Sequence, residues 1–117
     1  MEKSATEFMV VPLQGDDLGV CKTSNYRLVQ CCDGHVVFSY TWHGKAIMMH
    51  MAADKQGLRH FRRALEYFCN WVFNHYKPKM ILGGIERDSV ARVAEKCGFI
   101  HIANSDDTKI YMRINNG

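Results

Sequence analysis

His50, Asp54, Gly57 and Arg59 stand close together in the stretch "MMHMAADKQGLRHF", residues 48–61. Each residue type there has a chemistry to offer. An imidazole at a strand end could take a proton from a nucleophilic amine. A glycine at the start of a helix lets backbone N–H groups approach an anion, and the helix N-terminus leaves those groups unpaired. Arg59 could add a bidentate contact to a phosphate. Lys55, Arg62 and Arg63 extend the positive charge along the next turns and form an anion-binding or partner surface. Asp54 works against this, because it places a carboxylate beside the anion site. The plainer reading of His50 is a half-exposed strand histidine, and His60 is its neighbour on the helix side.

Other groupings are weaker. Cys31, Cys32, His35 and His43 contain metal-ligand types, but there is no Cys-x-x-Cys. Adjacent cysteines on a strand point to opposite faces. No metal is expected. Cys97 has no histidine tied to it by any motif, so a catalytic thiol is not expected. Phe38, Tyr40 and Trp42 could stack bases beside the basic helix, yet their alternation puts them on one face, where they serve a sheet core more simply.

The elements that must position these residues follow from periodicity. Residues 8–13, 26–32, 35–43, 46–52, 79–85, 99–103 and 109–114 read as strands. Asp33-Gly34 predicts a two-residue hairpin turn with positive φ at both positions, and residues 104–108 a polar turn. Leu58, Phe61, Leu65, Phe68, Val72 and Tyr76 recur at steps of three and four and predict one long amphipathic helix. Asp54 is its expected N-cap, and Pro78 ends it by biasing Lys77 away from helical geometry. Asp88 or Ser89 should cap a short second helix that Gly98 closes. Tyr67 and Trp71 share one flank of the long helix; they either widen the core or form a patch for a partner or a second copy.

Length and composition bound the rest. The chain has 117 residues, 47% of them hydrophobic and 23% charged, with a net charge of +3. That is one domain with an ordinary core. The charge is low for a nucleic-acid binder, so such a role is the less favoured use of the basic helix. The apolar runs are too short to cross a bilayer. Five cysteines in no paired framework predict free thiols and a cytoplasmic protein.

This order of elements resembles the GCN5-related N-acetyltransferase (GNAT) fold, at two places above all. Residues 49–51 fall where Val-His-Pro often follows the family's central strand. Residues 54–59 are similar to its Gln/Arg-x-x-Gly-x-Gly/Ala turn, with Gly57 on the first glycine. "EKCGF", residues 95–99, looks like the family's Glu-Lys-x-Gly-Phe at the close of its last helix. The resemblance implies an α/β (α+β) domain over 1–117, with a mixed, mostly antiparallel sheet, one long central helix and one short C-terminal helix. The core would span 26–115, after a shortened N-terminal region at 1–25.

The resemblance also implies a site. Met49, His50 and Met51 would hold the pantetheine of acetyl-CoA. Gln56, Gly57, Leu58 and Arg59 would hold its pyrophosphate, and His50 would take the amine proton. Several motif positions depart from the pattern. Asp54 stands for Gln or Arg, Arg59 for the second small residue, Arg87 for an Asn, and Ala94 for the Tyr that protonates the leaving thiolate. Tyr111 or Tyr40 would have to replace that tyrosine. Residues 14–25 have no room for the two helices that usually cover the acceptor, at about 1.5 Å per residue; that lid is missing or comes from a partner.

The reading is therefore a GNAT-fold protein with a damaged acetyl-CoA motif, acting as a non-catalytic protein-binding or structural protein. Small eroded proteins of this kind occur in tailed phages, which would put it in a host cytoplasm or a virion. An active CoA-dependent N-acetyltransferase is the alternative, and a nucleic-acid-binding module the second alternative. Another protein is the expected partner, with a homodimer as a further expectation.

Overall fold

The computed structural model describes residues 7–22 and 24–116. Seven strands form one sheet: β1 (Val11–Pro12), β2 (Arg27–Cys31), β3 (Val36–His43), β4 (Ala46–Ala53), β5 (Met80–Ile85), β6 (Ile100–Ser105) and β7 (Thr108–Ile114). Their order across the sheet is β1-β2-β3-β4-β5-β7-β6. Every pairing is antiparallel except β4–β5. That one parallel pair is joined through α1 (Lys55–Leu58) and α2 (Phe61–His75), and α3 (Asp88–Lys96) follows β5. The expected α+β class and mixed sheet are what the structure has.

The helices lie on one face. Phe38 and Tyr40 of β3 meet Phe68 of α2, and the Phe38 and Phe68 rings stack at 4.2 Å. Ile47, Ile81 and Tyr111 from the sheet join Ala64, Leu65, Val72, Ala91 and Ala94 from the helices in the same core. Tyr67 stacks on Phe8, and Trp71 packs edge-on to Tyr40 and Tyr76. These two aromatics widen the core and do not form a separate patch. The opposite face is covered over β2 and β3 by the loop before β2, where Ser39 donates to the Cys21 carbonyl and Val20 is buried with Val37.

Several boundaries differ from the sequence reading, each for a local reason. The long helix is broken at Arg59 and His60, so α1 is a single turn and Leu58 is exposed, off the core stripe. The first strand shrinks to two residues, and Phe8 instead inserts into the core. Asp33 and Gly34 have the expected positive φ, but so does Cys32, at 53°. Its left-handed backbone ends the β2–β3 ladder at Cys31–Val36 and brings the Cys31 and Cys32 sulfurs within 3.7 Å. They do not point to opposite faces. Neither Asp88 nor Ser89 caps α3: the cap position is Arg87, without a side-chain bond. Gly98 does close α3, at φ 88°, as the Gly98 and Phe99 amides donate to the Glu95 and Ala94 carbonyls, the pattern of a left-handed helix stop. Lys77 turns left-handed before Pro78. The last hairpin turns at Asp106, with its strands extended to Ser105 and Thr108.

Candidate functional site: a splayed strand pair and the turn beside it

β4 and β5 pair only from Ala46–Met80 to Met49–Gly83. Beyond that point β4 runs on to Ala53, while Gly84 and Ile85 of β5 pair with β7 alone. The two strands splay, and among the described residues no strand takes up β4's backbone on that side. A strand edge of this kind can accept an extended, amide-bearing chain. On the helix side the gap opens into a cavity of about 280 Å³. Its walls are mostly apolar: Met49 and Met51 from β4, Phe61 and Leu65 from α2, Val90 and Ala94 from α3, with Phe99 and Tyr111 at the back. Arg87 is a charged group on its lining. Ala94 leaves part of this volume open where a larger residue would fill it.

One polar pair stands at the cavity; the second lies across the sheet, because His50 is in register with Ser39 and its ring turns to the face away from the helices. Tyr111 donates its hydroxyl to the Glu95 carboxylate at 3.1 Å. Burial, and then that carboxylate, hold the phenol above its ordinary pKa. His50, on β4 at the start of the splay, has its Nε2 3.2 Å from the Tyr26 hydroxyl. Burial pushes the imidazole below its ordinary value, so it is neutral near pH 7. A neutral imidazole tied to a hydroxyl has the protonation state a base needs. Tyr40 is not at the cavity; its hydroxyl meets that of Tyr76 at 2.9 Å.

The turn after β4 is built differently. Asp54 is the N-cap of α1, as expected: its Oδ1 accepts from the Gly57 amide at 2.9 Å. Its Oδ2 is 2.7 Å from Nδ1 of His35, and its amide donates to the His35 carbonyl at 3.2 Å. The hydrogen bond from His35, then that from Gly57, hold the Asp54 carboxyl below the usual carboxylate range. Gly57 is buried against the same hairpin. A Cβ on it would lie 2.0 Å from the His35 carbonyl oxygen. The absent side chain therefore lets α1 seat on the β2–β3 connection.

The structure thus divides the sequence-predicted residues. Met49, His50, Met51 and Leu58 come together at the cavity. Lys55, Gln56 and Arg59 line a shallow depression outside it, with Asp54. Gly57 lines neither. Arg62 is 3.6 Å from Glu66, and Arg63 lies over the Phe8 ring, so two of the basic residues are engaged within the fold. His60 packs edge-on to Phe8. Tyr26 and His35, the partners of His50 and Asp54, escape sequence reasoning because strand register alone brings them there. Among the described residues no group of three or more His, Cys, Asp or Glu side chains is placed to hold a metal ion, and no helix is long and apolar enough to cross a membrane.

A parallel pair that splays over an apolar cavity, inside an otherwise antiparallel sheet with its helices on one face, defines the class of fold. The chain has the GNAT fold: its solved structural neighbours are acetyltransferases. PseH, an N-acetyltransferase from Campylobacter jejuni, superposes with a TM-score of 0.66 at 10% identity, over 80% of this chain and 71% of that one. Spermidine N-acetyltransferase from Vibrio cholerae gives 0.65 at 12% identity, over 78% and 66%. Ribosomal-protein-S5-alanine acetyltransferase from Vibrio fischeri gives 0.60 at 19% identity, over 79% and 63%. This chain spans about two thirds of their lengths, and at these identities the likeness is one of fold. No protein-family model and no curated protein matches the sequence.

Proposed function

We propose that this chain is a GNAT-fold binding or structural protein that does not carry out efficient acetyl transfer and works by docking on another protein. One observation carries the reading: the Asp54 carboxylate takes the Gly57 amide that a pyrophosphate would need, and His35 holds that carboxylate in place. Bringing a phosphate to the same amide would set anion against anion and would break the bond from Gly57 to Asp54. The α1 helix is one turn long, so its dipole offers little to offset this. Arg59, Arg87 and Ala94 at motif positions support the same reading.

A second reading has its own observation. The cavity between β4 and β5, with neutral His50 on the strand at its edge and Tyr111 in its wall, supports a CoA-dependent N-acetyltransferase with a reduced site. In that case Met49–Met51 backbone would hold the pantetheine. Acetyl-CoA would supply the acyl group, and His50 would take the amine proton. A transfer assay separates the two: purified protein with acetyl-CoA and a panel of polyamines and peptide N-termini, followed by thiol release. The proposal expects release at the background hydrolysis rate. Turnover well above background that is lost in both His50→Gln and Tyr111→Phe would overturn it in favour of the enzyme.

A further inference from the structure

We propose that the depression where the end of α2 meets the end of β7 is a binding site for a small oxyanion, a carboxylate or a phosphate. Arg113 builds it. On β7 it stands opposite Ile81, a fully buried core residue, so its side chain shares the helix side of the sheet. The guanidinium lies over the Phe73 ring, 5.6 Å from the ring centre, and beside the Cys69 thiol. An aromatic ring occupies one flat face of a guanidinium and leaves its N–H groups, which lie in the plane, to find acceptors. Nη1 finds none: it is buried and has no hydrogen-bond partner among the described residues. A buried charged donor in that state costs more than a neutral one, and it points to an acceptor from outside the chain.

The surroundings give the sign of that acceptor. The depression has a volume of about 450 Å³, and Arg113 shares its lining with Lys77 and the amides of Asn70, Asn74 and Asn116. Among the described residues no Asp or Glu lines it, and neither Arg113 nor Lys77 enters an ion pair. Two cations and three amides able to donate therefore converge on one space. The frame around them is fixed. Lys77 turns left-handed before Pro78, and Asn115 donates its side-chain amide to the Pro78 carbonyl and its backbone amide to the Lys79 carbonyl, both at 3.0 Å. The last carbonyls of α2 favour positive charge at this end, but none of them bonds Nη1. A carboxylate or a phosphate accepts two parallel bonds from a guanidinium, and Lys77 adds a point charge beside it.

The site shares no lining residue with the cavity or with the depression after β4, and it lies at the other end of β5 from the splay. It stands whether or not acetyl-CoA binds. Amide-detected NMR of the protein in chloride buffer, titrated separately with inorganic phosphate and with acetate, reads the Asn70, Asn74 and Asn116 side chains directly. The expected result is saturable shifts at these amides, with a dissociation constant on the order of 1 mM, as about two charge-assisted hydrogen bonds give. Saturation by phosphate, by acetate or by both supports the site and names its oxyanion. Arg113→Lys keeps the charge and loses the fork, and should weaken binding about fivefold or more. Lys77→Met alters an exposed side chain, should weaken binding about twofold or more, and decides the question if the Arg113 variant does not fold. Lys79→Met, exposed and outside the lining, should change nothing. No saturation by either salt up to about 50 mM would overturn the proposal. So would shifts that Arg113→Lys and Lys77→Met both leave unchanged, which would mean an adventitious ion only.

Discussion

The end of β4 and the turn that follows it are adjacent in sequence and have opposite characters. At the strand end, the edge of β4 that faces β5 is left without a strand partner and apolar walls enclose a cavity. In the turn, the backbone groups are taken: Asp54 caps Gly57, His35 holds Asp54, and Gly57 is pressed on the His35 carbonyl. In a working cofactor site the two would act together, one on the pantetheine arm and one on the phosphates. Here the first keeps room for a guest, and the second is used up by the fold. A glycine at a motif position is thus insufficient evidence for a phosphate, because the same missing Cβ serves equally for close packing of backbone on backbone.

Substitutions at the two ends should separate them, with the turn the more sensitive. Gly57→Ala is expected to cost the most, about 3 kcal/mol or more, because its Cβ would lie 2.0 Å from a carbonyl oxygen that belongs to backbone. Chemical denaturation measures this, and a near-neutral result would break the claim that Gly57 is a packing residue. Leu65→Ala, at the cavity wall, should cost about 2–3 kcal/mol, the low end for a buried leucine, since one side of it already faces open volume. Tyr111→Phe should cost about 1 kcal/mol, through loss of its bond to Glu95.

Asp54→Ala should lower the melting temperature modestly by removing the cap and the His35 contact. It should also remove part of the acid sensitivity. The folded Asp54 carboxyl lies below its ordinary value of 3.8. Its contribution is therefore complete above that value and is lost as pH falls through the lower folded one. The gap between parent and variant melts should be constant above about pH 4 and close progressively below it. The smallest effect is chemical. Cys21 is exposed and the other four cysteines are buried, with Cys69 pushed up to about 12 by burial. Mass spectrometry after brief alkylation of the native protein should find one fast adduct, at Cys21.

Most of the architecture was legible in the sequence because it rests on periodicity and punctuation. The alternation of Phe38, Tyr40 and Trp42, the stripe from Phe61 to Val72, and Gly98 after α3 all mark their elements directly. The break at Arg59–His60 was not legible: the apolar spacing runs through it, and only the docking of α1 on the β2–β3 connection interrupts the helix. Cys32 escaped for a similar reason, since nothing in its type asks for positive φ. At the site, Met49, His50 and Met51 were found because a strand end is local. The Asp54–His35 and His50–Tyr26 pairs were not, because each joins residues 19 or 24 positions apart through sheet register.

The most direct test of the central claim is calorimetric titration of the purified protein with acetyl-CoA, with CoA and ADP as comparisons. A turn occupied by its own carboxylate predicts no saturable heat from any of the three up to millimolar concentration. Micromolar binding of acetyl-CoA and CoA, with ADP following more weakly, would show that the turn releases Asp54 to receive a pyrophosphate, and would contradict the account.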